Sequence, residues 1–251
     1  MPHILPTLPD VQWPTPEGVI GVVGVAPFAT VDFLTQVYEQ ADASKDWHFP
    51  RVLVDANSKI PSRGRYFDLG ETDPSPYIAD TIDELISAGA SAIVVPCNTA
   101  HILIDRWSVR AAVSVVSIVE ATLAEVNSSK ARSIAVLGSD HLTRYRTYLD
   151  PLEKKGLICR ELSDEQQALV GKAIGEIKVA NTLSKNTSSR FSCFLKELED
   201  SGVETILLGC TELSQAMRCL KSRFFEGAVI DSNKALARAA LRRVCSVKHS
   251  T

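Results

Sequence analysis

Two of the six cysteines in this 251-residue chain, Cys97 and Cys210, occupy matching places. Cys97 ends the run LISAGASAIVVPC and Cys210 ends LEDSGVETILLGC. Each follows a helical tail, a glycine and an apolar run, and Gly89 precedes Cys97 by the same spacing as Gly202 precedes Cys210. A thiolate in a desolvated site is a base able to take a weakly acidic C–H proton. A free thiol titrates near ~8.5, and a helix N-terminus lowers that value. Helices are predicted directly after both, over Asn98–Trp107 and Thr211–Leu220. Two such thiols facing one carbon suit racemisation: one removes a proton and the other delivers one to the opposite face. A single strand-end cysteine reads first as a small buried hydrophobe. That bland reading does not require two cysteines at matched positions.

The elements that must hold these thiols are also duplicated. IGVVG from Ile20 pairs with IAVLG from Ile134, and Thr30 pairs with Thr143. Repeats of this kind mark a copied structural unit. Strands are predicted at Val19–Val25, Arg51–Asp55, Ser91–Pro96, Val113–Ile118, Ser133–Leu137, Ile158–Leu162, Thr205–Gly209 and Ala228–Ile230. Helices fall between them. One carries the stripe Ile78, Ile82, Leu85, Ile86 and stops at Gly89; its counterpart carries Phe191, Phe194, Leu195, Leu198 and stops at Gly202. Near-continuous apolar strands alternating with amphipathic helices predict an α/β fold. The expected architecture is two similar duplicated domains, each a mainly parallel sheet flanked by helices. The first spans Glu17–Ser117 and the second Ile118–Gly227, with a last helix over Ser232–Val244 packing back on the first. Ligands in such folds bind beyond the carboxyl ends of the strands, so the cleft between the domains is the expected active site.

Composition excludes several other classes. The net charge of −3 gives no basic patch for nucleic acid and no sign of a membrane surface partner. No apolar run is long enough for a membrane span. The opening MPHILPTLPDVQWPTP lacks a signal-peptide pattern and reads as an extended proline-rich arm over 1–16. A reducing, cytoplasmic setting with free thiols is therefore expected. There is no CxxC pair, and the five histidines are scattered, so no metal site is expected. Gly18, Gly21 and Gly24 are spaced GxxGxxG, which fails the dinucleotide fingerprint.

The segments VVPCNTAH (Val94–His101) and LLGCTEL (Leu207–Leu213) resemble the paired cysteine motifs of the aspartate/glutamate racemase superfamily. GVVGVAPFATVDF is similar to its opening glycine-rich loop, VLGSDHLTRYRTYL to the second-half equivalent, and VIDSNKALARAA to its closing helix. CNTAH with CTEL resembles the aspartate racemase branch; the glutamate branch usually has His where this chain has Glu212. The resemblance implies an acidic amino acid as substrate, no cofactor, and a homodimer. It implies that Cys97 and Cys210 are the acid/base thiols, and that Asn98, Thr99 and Thr211 donate to the α-carboxylate. It further implies Arg63, in NSKIPSRGR, as the clamp on a substrate carboxylate, with Asn57 lining the site. Lys178 in IGEIK matches a lysine that reaches the side-chain carboxylate, and Thr30 matches a substrate contact. Two departures stand out: Val23 and Ala26 replace glycines of the opening loop, and Ser62 replaces an aspartate.

Each of these residues has a plainer reading. Arg63 could be a solvated loop charge, with Arg65 a rival for its role. Lys178 could be an exposed helix lysine. Asn98 and Thr99 could be caps, and His101 and Glu212 could serve packing or loop orientation. Rival activities on the same scaffold are hydantoin racemisation, maleate isomerisation and arylmalonate decarboxylation. A non-catalytic module binding a small acid is a rival of another class. It would need the basic and hydroxyl groups but not both thiols.

Overall fold

The computed structural model describes residues 17–109, 111–220 and 224–245. The proline-rich arm expected over 1–16 lies outside them. All eight predicted strands form, and they make two four-stranded parallel sheets. In the first, β1 (Ile20–Val23), β2 (Val52–Asp55), β3 (Ala92–Val94) and β4 (Ser114–Val116) are ordered β2-β1-β3-β4. In the second, β5 (Ser133–Leu137), β6 (Ile158–Arg160), β7 (Thr205–Leu208) and β8 (Ala228–Asp231) are ordered β6-β5-β7-β8. The two orders are the same permutation, which is what duplication predicts. Every pairing is parallel, so each crossover needs a helix to bring the chain back.

The crossover helices include α1 (Pro27–Gln40), α3 (Ser75–Ser87), α8 (Asp164–Ala180) and α9 (Lys185–Asp200), with shorter α2 (Arg63–Leu69), α6 (Asp140–Arg144) and α7 (Leu149–Lys154) beside them, and α5 (Ile118–Ser128) links the first sheet to the second. α3 buries Ile78, Ile82 and Leu85, and α9 buries Phe191, Phe194, Leu195 and Leu198. The chain leaves each helix through a glycine in the left-handed region, Gly89 at φ 102° and Gly202 at φ 84°. A side chain with a Cβ would be strained there, which is why the two stop signals match.

β3 and β7 are interior strands, and both are fully buried. Cys97 and Cys210 follow them at the carboxyl ends, so each thiol sits over the middle of its sheet. The last helix, α11 (Ser232–Cys245), packs on α1 and α5. Its Leu236, Ala237, Ala240 and Val244 share one core with Ile20, Val22, Phe33, Ala92 and Val94 of the first half. Cutting Leu236 back to Ala in that core would cost about 2–5 kcal/mol.

The predicted helix over Asn98–Trp107 does not form as one piece. The chain makes a 3₁₀ turn over Thr99–Leu103 and then only α4 (Ile104–Trp107). Side chains have taken the carbonyls that an α-helix would use. His101 Nδ1 lies 2.9 Å from the Cys97 carbonyl oxygen, and the Trp107 indole donates to the Ala100 carbonyl at 3.0 Å. By contrast α10 (Thr211–Arg218) does form directly after Cys210.

Candidate active site

Cys210 is the cap residue of α10, in extended backbone with φ −135° and ψ 131°. Its side chain is 8% exposed and belongs to the apolar core with Leu213 and Ala216. The thiol donates to the Glu212 carboxylate, Sγ to Oε2 2.9 Å, and the Thr211 hydroxyl donates to the same oxygen at 3.3 Å. Thr211 and Glu212 are both buried. Burial pushes the Cys210 thiol well up, the neighbouring Glu212 charge adds to that, and the Lys178 ammonium only partly offsets them. In this arrangement the Cys210 sulfur carries the hydrogen that it donates to Glu212.

Cys97 is half-buried, and what supports it differs. His101 beneath it is buried, edge-on to Trp107 at 5.2 Å, and its pKa is pushed down to about 4 by desolvation. The ring is thus neutral at pH 7. The Ile118 N–H donates to Nε2 at 3.3 Å, so Nδ1 carries the hydrogen and donates to the Cys97 carbonyl. That assignment makes His101 a strut for the Cys97 loop. Asn98 is buried, donates to the Ser232 hydroxyl at 2.9 Å and accepts from the buried Tyr148 hydroxyl. Thr99 and Ser139 share a hydrogen bond of 3.1 Å. These bonds tie the Cys97 loop to α11 and to the second half.

The two predicted cations meet on one cavity of about 300 Å³. It is lined by Ala26, Phe28, Ser58, Ser62, Arg63, Lys178 and Glu212, among others. Arg63 opens α2. Its Nη1 donates to the carbonyls of Ile60 (3.4 Å) and Pro61 (3.0 Å), and Nη2 to that of Val25 (3.0 Å). Its Nε is buried without a hydrogen-bond partner among the described residues. Lys178, in the last turn of α8, is exposed and lines the cavity. Burial pulls its ammonium pKa down, but the Glu212 carboxylate first, and the Cys210 and Cys97 sulfurs when ionised, outweigh that and the net shift is upward. Both thiols thus lie within electrostatic reach of one ammonium. Neither Arg63 nor Lys178 has a carboxylate within ion-pair distance among the described residues. Arg65, the rival cation, is exposed and paired with Glu71, its Nε donating at 2.7 Å.

The remaining expected residues sit around this core. The amide of Asn57 donates to Thr81 at 3.4 Å, and its oxygen accepts from the Lys59 N–H at 3.1 Å, which shapes the loop carrying Arg63. Thr30 is buried, and its hydroxyl donates to the Ala26 carbonyl at 2.8 Å. It packs beneath Gly24, where an added Cβ would lie 2.8 Å from the Thr30 hydroxyl oxygen. Of the expected residues the structure brings Arg63 and Lys178 onto the cavity, with Glu212 beside them; Cys97, Cys210, Asn98, Thr99, Thr211, Thr30 and Asn57 are not among the residues that line it, and Cys210 reaches it through Glu212. Of the two altered loop positions, Ala26 lines the cavity while Val23 is buried in the core. Ser62 caps α2, accepting from the Arg65 N–H at 3.3 Å. From sequence Glu212 reads as structural, orienting a loop, rather than as a general base, and its contact with Cys210 is not apparent there. The signal available was its place two residues after the cysteine, on the first turn of the following helix.

The model of the family Asp/Glu/Hydantoin racemase matches residues 20–240. The chain is 26% identical over 228 residues to the broad specificity amino-acid racemase RacX of Bacillus subtilis (strain 168), covering 89% of this chain and 96% of that protein. Its fold is similar to that of Picrophilus torridus aspartate racemase, with a TM-score of 0.81 at 24% identity over 91% of this chain and 94% of the other. Glutamate racemase from Francisella tularensis in complex with D-glutamate superposes with a TM-score of 0.63 at 14% identity, covering 94% and 85% of the two chains.

Proposed function

The chain belongs to the Asp/Glu/hydantoin racemase family, and on that premise we propose that it interconverts the enantiomers of an acidic amino acid. Aspartate is the first candidate and glutamate the second, with no pyridoxal phosphate required. The observation that supports an acidic substrate is the pair of cations, Arg63 and Lys178, on one cavity that holds a single carboxylate, Glu212, itself hydrogen-bonded by Cys210 and Thr211. Two positive charges against one negative leave the cavity with a net positive charge, which a dicarboxylate would answer. The cavity, at about 300 Å³, is of a size for a small ligand.

In this reading Cys97 and Cys210 work from opposite faces of Cα. In one direction Cys97, as thiolate, removes the α-proton, and Cys210 delivers its own proton to the other face; the reverse reaction swaps the roles. Thr99 acts on the α-carboxylate, joined by Thr211 once its hydroxyl turns from Glu212, while Asn98 holds the Cys97 loop through Ser232 and Tyr148; Arg63 and Lys178 act on the side-chain carboxylate. Thr30 and Asn57 shape the pocket. We further propose a homodimer, which light scattering would refute by finding a monomer at working concentration. A cytoplasmic setting goes with the free thiols, and no described helix is long and apolar enough to cross a membrane.

A second reading is a wider range of amino acids. Three donor contacts of Arg63 already go to backbone carbonyls, which leaves less of its fork for a substrate carboxylate, and the similar RacX is named for broad specificity. Purified protein incubated with L-aspartate, L-glutamate and a panel of neutral L-amino acids, without added cofactor, separates the readings by chiral chromatography. Fast turnover of the two acids alone supports the first. Comparable rates across neutral residues support the second. No racemisation of any of them, or activity that stops when pyridoxal phosphate is stripped, contradicts both.

A further inference from the structure

A two-thiol racemase faces a problem that its chemical step does not solve. Each turnover leaves the proton on the wrong thiol: the base has become an acid and the acid a base. Before the same enantiomer can react again, both sulfurs must exchange protons with solvent. Cys97 is half-buried. Cys210 is 8% exposed, packed in an apolar core, and its sulfur has one hydrogen-bond partner among the described residues, Glu212. Glu212 is itself 4% exposed, yet it lines the cavity alongside Ser58, Arg63 and Lys178. Its carboxylate therefore touches the enclosed sulfur at 2.9 Å and borders the space that water enters when product leaves.

We propose that Glu212 is the proton carrier that resets Cys210 between turnovers, a role that rests on the two-thiol reading of the site. After Cys210 has delivered its proton to substrate, it is a thiolate beside a carboxylate. Glu212 takes a proton from water in the emptied cavity and becomes a carboxylic acid. That O–H then transfers its proton to the Cys210 sulfur, restoring thiol and carboxylate, the arrangement seen here. Cys97 gives the proton it removed to water, so one proton enters and one leaves. Burial and the Glu212 charge both raise the Cys210 thiol, which drives the reset toward the protonated sulfur. The Thr211 hydroxyl at 3.3 Å holds the same carboxylate oxygen in place.

Glu212→Gln tests this, because the amide oxygen still accepts from the thiol and the volume is kept, but the side chain cannot carry a proton at neutral pH. Circular dichroism and the thermal midpoint establish that the variant is folded. With enzyme in excess over L- or D-aspartate, the first turnover should proceed in the one direction that uses the protonated Cys210. Steady-state turnover should then fall roughly hundredfold, giving a burst absent from wild type. Raising the concentration of a small buffer acid such as formate, at constant ionic strength, should speed the slow phase of the variant and leave wild type unchanged. A steady-state rate equal to wild type would overturn the proposal. So would loss of the first turnover in a folded variant, since Glu212 would then act in the chemical step, and so would a slow phase indifferent to buffer. A wild-type protein that racemises neither aspartate nor glutamate would instead overturn the reading of function beneath it, and the carrier role with it.

Discussion

The two halves share one topology and place one cysteine each beyond the same strand, yet they finish the job differently. After Cys210 the chain runs straight into α10, and an acid two residues on accepts the thiol's hydrogen bond. After Cys97 the chain makes a 3₁₀ turn, and a neutral imidazole props the backbone from below. Duplication thus fixed where the sulfurs stand. Divergence in the next few residues set what each sulfur touches. Apolar strands and stop glycines are expensive to change, because each supports a whole sheet. The polar residues that follow the cysteines can vary without disturbing those sheets.

The largest expected effect comes from removing either thiol. Cys97→Ala and Cys210→Ala should each reduce racemisation by about 10²–10⁴-fold, since the mechanism needs both faces. A half that could be spared at near wild-type rates would break the symmetry of the account. Arg63→Ala comes next. Loss of a charge-assisted contact should raise KM for aspartate roughly tenfold to hundredfold, with Arg63→Lys intermediate because it keeps the charge but loses the fork. Normal KM in a folded Arg63→Ala protein would move the clamp elsewhere, with Lys178 the next place to look. The smallest effect separates the strut from the acid. His101 is held well below its ordinary pKa, at about 4 against 6.5. The unfolded chain therefore binds the extra proton first, and stability falls as pH drops from 6.5 to 4. The loss is up to about 3 kcal/mol. Denaturant titrations at several pH values should show a gentler acid slope for His101→Gln than for wild type. An identical slope would mean that His101 is not a buried neutral strut.

Much of this was legible in the sequence because it rests on local pattern. The strands announced themselves as apolar runs, and Gly89 and Gly202 marked two helix ends that need positive φ. The cysteines stood out through their matched spacing. What stayed hidden depends on long-range contact. That Trp107 and His101 would capture backbone carbonyls and break the helix after Cys97 follows from tertiary packing, not from propensity. Asn98 read as a cap or a substrate donor, but its buried bonds run to Ser232 and Tyr148, both far along the chain. Glu212 read as structural because an acid on the first turn of a helix needs no special reason; only its contact with a buried sulfur gives it another role. Arg63 and Arg65 were indistinguishable by type, and the ion pair to Glu71 separates them.

The central claim is that Cys97 and Cys210 act from opposite faces of one carbon, and isotope transfer in D₂O tests it most directly. Each enantiomer of aspartate is incubated separately, and the Cα hydrogen of product and of recovered substrate is read by mass spectrometry at early times. Two bases on opposite faces predict product labelled at Cα from either enantiomer, with little label in the recovered starting material. Product that keeps its original hydrogen would mean a single base returning the proton it took, and would contradict the account.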